Sequence, residues 1–152
     1  MLRINRLRVE INTENGVYGI DESFQSGLDF ITSLENTCGK SSILAAIYYC
    51  LGFEQILGGV GGIGSKVLTS AFKTAIEDNG KPWTVTESGA YLEISNGNET
   101  RTIYRSIKSE SKDDRLMTVY YGDFNSISDH RTISEDFYVN IQNAATSEKG
   151  FH

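Results

Sequence analysis

The chain is poor in the residues that mark secreted, metal-bound or disordered proteins. Two cysteines in 152 residues, Cys38 and Cys50, are too few for a disulfide framework and have no metal-ligand spacing. The opening Met1-Leu2-Arg3-Ile4-Asn5-Arg6 is charged and alternating, unlike a secretory leader. No apolar run approaches the roughly 20 residues of a membrane span. Together these absences point to a reduced, cytoplasmic setting. Basic residues are scarce as well: 14 Lys and Arg against 20 Asp and Glu, for a net charge of -6. That balance argues against a domain that coats nucleic acid by itself, because phosphate-backbone binding leaves a basic footprint.

What is present suits one domain with a packed core. Hydrophobic residues make up 39% and charged ones 22%, with 8 Tyr, 7 Phe and a single Pro. Near-alternation of Leu2, Ile4, Leu7, Val9 and Ile11 predicts a first strand, and the Asn15-Gly16 turn sends Val17–Phe24 back against it. A short third strand is expected over Leu28–Ser33. A helix then follows from Lys40, with Ile43, Ala46, Ile47, Cys50 and Leu51 at helical spacing and Gly52 as its stop.

Glycines crowd the stretch from Gly58 to Gly64, and Gly59-Val60-Gly61-Gly62-Ile63-Gly64 satisfies G-x-G-x-x-G. A dinucleotide fingerprint must follow a strand; this one follows a helix and reads as a flexible connection. A second helix is expected over Ser65–Asp78, ended by Asn79-Gly80-Lys81-Pro82. Trp83 reads as a core anchor, and Cys50 as a small buried apolar residue. Ala90–Ser95 and Thr100–Ile107 form a hairpin about Asn96-Gly97. Leu116–Tyr121 is another strand, and Glu135–Ala145 a helix or loop. Glu148 to His152 closes no element, so the chain reads as cut within one.

The sharpest chemistry lies in Asn36-Thr37-Cys38-Gly39-Lys40-Ser41-Ser42. A P-loop (Walker A) is G-x-x-x-x-G-K-[ST]. Gly39, Lys40 and Ser41 fill its last three places, and Leu34 stands where the first glycine would. Gly39 lets successive amides turn inward, and Lys40 reaches the β- and γ-phosphates as a compact charge. The Ser41 hydroxyl completes the coordination of Mg2+. Ser42 and the amides of Cys38 and Gly39 face the α- and β-phosphates at the positive end of the helix. A strand before the loop and an amphipathic helix after it are the context this motif requires. The expected ligand is therefore ATP with Mg2+.

Lesser signals compete with plainer explanations. Arg6 and Arg8 share one strand face, beside an edge where an adenine or ribose can lie; a solvated strand face is the competing reading. His130 and His152 have no neighbouring ligand set.

These features resemble the N-terminal lobe of an SMC/RecN-like ABC-type ATPase head. The resemblance rests on the strand Leu2–Val9, the strand Leu28–Ile31, the loop with its Asn36 in the manner of G-x-N-x-x-G-K-S, the helix to Leu51, and the hairpin ending Thr102-Ile103-Tyr104-Arg105. It implies an α/β fold, the N-lobe of a P-loop NTPase: a mixed sheet with an antiparallel portion and flanking helices. Residues 1–152 would be a single domain, a partial head, with 136–152 opening a helical or coiled-coil insertion. Gln142 would sense the γ-phosphate. The resemblance also implies that hydrolysis needs a missing C-lobe and a second head, in a homodimer, serving DNA repair, chromosome organisation or anti-phage defence. DNA would be met through the full-length complex.

The chain shows no apolar strand ending in paired acids; Asp113-Asp114 and Asp123 follow other patterns. No catalytic base can be named. The competing readings are a non-catalytic nucleotide-binding module, kept open by Leu34, and a P-loop enzyme of another class. The N-K-x-D string of a GTPase and the basic lid of a kinase are both lacking.

Overall fold

The computed structural model describes residues 1–32, 39–53, 68, 70–127, 132–139 and 150–151. Strand β1 (Arg3–Thr13) is the spine of the sheet. Its odd-numbered Leu7, Val9 and Ile11 are buried, while the even-numbered side chains between them are only partly covered. A one-residue slip would expose that set, each member worth roughly 1.5–3 kcal/mol when buried. The apolar pattern therefore fixes the register.

Strand β2 (Gly16–Ser23) returns along one side of β1, and β4 (Lys81–Ser95) runs antiparallel along the other. Beyond β4 lie β5 (Thr100–Lys108), β6 (Leu116–Tyr121), β7 (Ser134–Val139) and β8 (Gly150–Phe151), in that order. Every junction on this path is antiparallel except β7–β8, which is parallel. Strand β3 (Ala75–Asp78) pairs with the start of β4. The helix α1 (Lys40–Cys50) packs on one face of the sheet. Its Ala45, Ala46, Ile47 and Cys50 meet a core that includes Leu7, Val9, Leu92, Ile103, Ile107 and Met117.

This architecture corrects the expected α/β lobe with flanking helices. The sheet is predominantly antiparallel, and α1 is the one α-helix described in full. The main reason lies at residues 75–78, whose helical periodicity was expected to continue a second helix. Asn79 and Gly80 both adopt positive φ, 53° and 75°, which is the backbone of a tight hairpin turn. That turn folds Ala75–Asp78 onto Lys81–Thr84 as a strand, after one π-helical turn at Ser70–Thr74. Trp83, expected as a core anchor, is half-buried opposite Ile76. Cys50 is buried as expected.

Two more expectations are corrected. Residues 28–32 form no strand, and Leu28 and Phe30 are 79% and 78% exposed. Residues 135–139, read as helix or loop, belong to β7, where Phe137, Tyr138 and Val139 continue the sheet. Residues 140–149, the glycine stretch 58–64, His130 and His152 lie outside the described residues.

Candidate phosphate-binding site

The helix α1 starts where the sequence places it. Gly39 occupies its N-cap in the left-handed region, φ 74° and ψ 7°, which a side chain would disfavour. The Gly39 carbonyl accepts from the amides of Ser42 (2.9 Å) and Ile43 (3.1 Å), closing the first turn. Among the described residues no side chain caps this end, and no acidic residue sits in the first turn. The positive end of the helix dipole therefore meets no carboxylate from its own first turn. Lys40 and Ser42 are half-buried there and Ser41 is exposed. Asn36, Thr37 and Cys38, with Leu34, lie outside the described residues.

Lys40 opens on a cleft of about 370 Å³. Its walls include Glu22, Ser23 and Phe24 at the end of β2, and Asp29 and Phe30 beyond it. Asp29 is placed by a local loop: its carboxylate accepts from the Gln25 amide at 3.1 Å. Sequence reasoning did not bring Glu22 and Asp29 to the lysine. The Ser26-Gly27 turn, which folds residues 28–32 back beside β2, was the available signal. The donors present fit a magnesium polyphosphate: helix amides, one ammonium, and a serine hydroxyl for a cation that takes few protein ligands.

Arg6 and Arg8 share a face, as expected, but it is the face opposite α1. On β1 they alternate with Leu7 and Val9, whose side chains enter the core beneath the helix. The Arg6 guanidinium donates to Asp21 Oδ1 at 2.6 Å and Oδ2 at 2.7 Å. Arg8 lies 3.3 Å from Asp21 and 2.8 Å from Glu10. Both guanidiniums lie over the Phe124 ring, at 4.8 and 5.0 Å from its centroid. Phe124 in turn meets Tyr91 edge-on. These arginines are structural ties between β1, β2 and the turn at Phe124–Ser126.

The hydrogen bonds from Arg6, reinforced by its charge, hold the Asp21 carboxyl below the ordinary carboxylate range. The sign follows: a lowered folded pKa stabilises above the unfolded value of about 3.9 and is lost as pH falls through the folded pKa. Asp21→Asn is therefore expected to cost under about 1 kcal/mol at pH 7, because the pair is solvent-screened. The difference from wild type should close in urea titrations run below pH 3. A gap that persists there would mean the side chain matters through packing.

The acids Asp113, Asp114 and Asp123 are held in local contacts. Asp113 pairs with Arg115 at 2.9 Å, and Asp114 lies 3.8 Å from Lys73. Asp123 caps the short turn after β6, accepting from the Ser126 amide at 2.8 Å. Gln142 lies outside the described residues.

A lock closes the other end of α1. Arg105, 2% exposed, donates to the Tyr49 carbonyl and to the Asp114 carbonyl, both at 2.6 Å. Its guanidinium stacks 3.9 Å from the Tyr49 ring centroid. The Tyr49 hydroxyl donates to the Ser106 carbonyl at 2.6 Å.

Among the described residues, no helix is long and apolar enough to cross a membrane. Comparison with known proteins finds no matching family model, no matching curated protein and no matching solved structure.

Proposed function

We propose that the chain binds the phosphates of ATP, with Mg2+, at the start of α1. The observation that carries this reading is the helix start at Gly39-Lys40-Ser41-Ser42, with no acid in its first turn, opening beside a cleft. Helix amides and the Lys40 ammonium would hold the β- and γ-phosphate oxygens, and the Ser41 hydroxyl would hold the metal. Magnesium would supply neutralisation of the charge that develops on the phosphates during transfer. The antiparallel sheet lends this reading no support from fold, so it rests on the helix start and the motif.

The resemblance to SMC-like ATPase heads extends the proposal to the whole protein. Hydrolysis would need a water-positioning base from a C-lobe and a second head, in service of a DNA-linked process. Lys40 and Ser41 would serve binding alone, and Asp113, Asp114 and Asp123 are engaged in local contacts. Turnover by this chain alone should therefore be negligible.

Titration calorimetry with Mg-ATP, on wild type and Lys40→Ala with Mg-GTP for comparison, tests the reading. Saturable binding weakened at least about tenfold in the variant, roughly 1.4 kcal/mol, is expected. Equal binding by the two proteins, or none by wild type, would sink it.

A further inference from the structure

A nucleotide has a direction, and the start of α1 imposes one. With Lys40 at the β- and γ-phosphates and Ser42 toward the α-phosphate, the nucleoside must leave on the Ser42 side. This step rests on the phosphate-site reading above. Two clefts border the helix start, and they differ in chemistry. The one on the Lys40 side is polar, with the Glu22 and Asp29 carboxylates in its walls. The one on the Ser42 side, about 360 Å³, is mostly apolar: Gly39 and Ser42 form its rim, and Ile11, Ile20, Tyr18 and Phe72 line it. Small-molecule sites typically fill roughly 300–1,000 Å³ and combine apolar walls with a few polar groups.

The aromatic wall is held in place. Tyr18 donates from its hydroxyl to Asp78 Oδ2 at 3.1 Å and accepts from Asn15 Nδ2 at 2.7 Å. These bonds tie the ring to both hairpin turns that flank the cleft. A ring fixed in this way can stack on a flat heterocycle without first losing rotamer freedom.

We propose that this apolar cleft is the nucleoside subsite: it receives the base of the nucleotide whose phosphates the α1 terminus holds, with Tyr18 as its aromatic wall. The cleft is continuous with the phosphate site through Gly39 and Ser42, and its apolar lining suits a base rather than a phosphate. Arg6 and Arg8, on the far face of the sheet, take no part.

The test compares Mg-ATP with Mg-tripolyphosphate by titration calorimetry, which separates the base from the phosphates. Wild type should bind ATP at least about tenfold more tightly than tripolyphosphate. Ile20→Trp, which fills the cleft with a neutral ring, should abolish that preference and leave tripolyphosphate binding unchanged. Tyr18→Phe, which keeps the ring and releases its two bonds, should reduce the preference by about two- to fivefold. If wild type binds both ligands equally, or if the preference survives Ile20→Trp, the base lies elsewhere and only the phosphate site stands. If wild type binds neither ligand, both readings fail together. Should Ile20→Trp lose both ligands by misfolding, Tyr18→Phe decides: an unaltered preference overturns the subsite.

Discussion

Arg105→Ala is expected to cost about 3–5 kcal/mol of folding stability, a large share of the roughly 5–15 kcal/mol a domain possesses. Three losses combine. The charge-assisted hydrogen bonds to the Tyr49 and Asp114 carbonyls disappear. So does the stacking of the guanidinium on the Tyr49 ring. A cavity is also left between α1 and β5. Lysine should recover less than half of the loss, because a single ammonium cannot reach both carbonyls and lie flat on the ring. Urea unfolding followed by circular dichroism measures both variants. A loss below 1 kcal/mol in the alanine variant would show that the lock is incidental to the fold.

Gly19→Ala carries the second large effect. A Cβ on Gly19 would sit 1.9 Å from the Val9 carbonyl oxygen, which belongs to the backbone of the neighbouring strand and cannot swing away. The φ of 155° adds strain to the close approach. Among the described strands β2 lies at the sheet's edge, so the sheet yields there by lifting β2 away from β1. The expected cost is about 3 kcal/mol, a fall in Tm of roughly 6–12 °C. Calorimetric melting of the two proteins checks it, and an unchanged Tm would mean that the strand relaxes freely. Gly19 also lines the apolar cleft, so this variant should weaken Mg-ATP more than tripolyphosphate.

Much of the sheet was legible because its signals are local. Alternation and Asn-Gly turns marked β1, β2 and the β4–β5 hairpin, and Leu116–Tyr121 is bounded as expected. What failed was information about partners. Leu28, Phe30 and Ile31 look like a strand in isolation, yet no described strand pairs with them. Asn79-Gly80 was visible, but it can stop a helix or turn a hairpin, and only the pairing of Ala75–Asp78 with β4 decides between the two.

The candidate site divides in the same way. Gly-Lys-Ser-Ser ahead of an amphipathic run was enough to place the start of α1. A period of two showed that Arg6 and Arg8 share a face but not which face the helix covers. Arg105 did carry a signal: it has the parity of Ile103 and Ile107, two core residues on the same strand. A basic residue at a core position asks for carbonyl or acidic partners, and Tyr49 and Asp114 supply them.

The two ends of α1 are therefore unequal. Near its C-terminus the helix is pinned through Tyr49 to β5 and to the loop before β6, while its first turn holds no acid and, among the described residues, no capping side chain. Eleven residues make a rod about 16 Å long, clamped at one end like a cantilever. Thermal opening should begin at the end away from Tyr49, where the first turn can fray without disturbing the clamp. A ligand seated on that first turn would order the end of the helix farthest from the clamp.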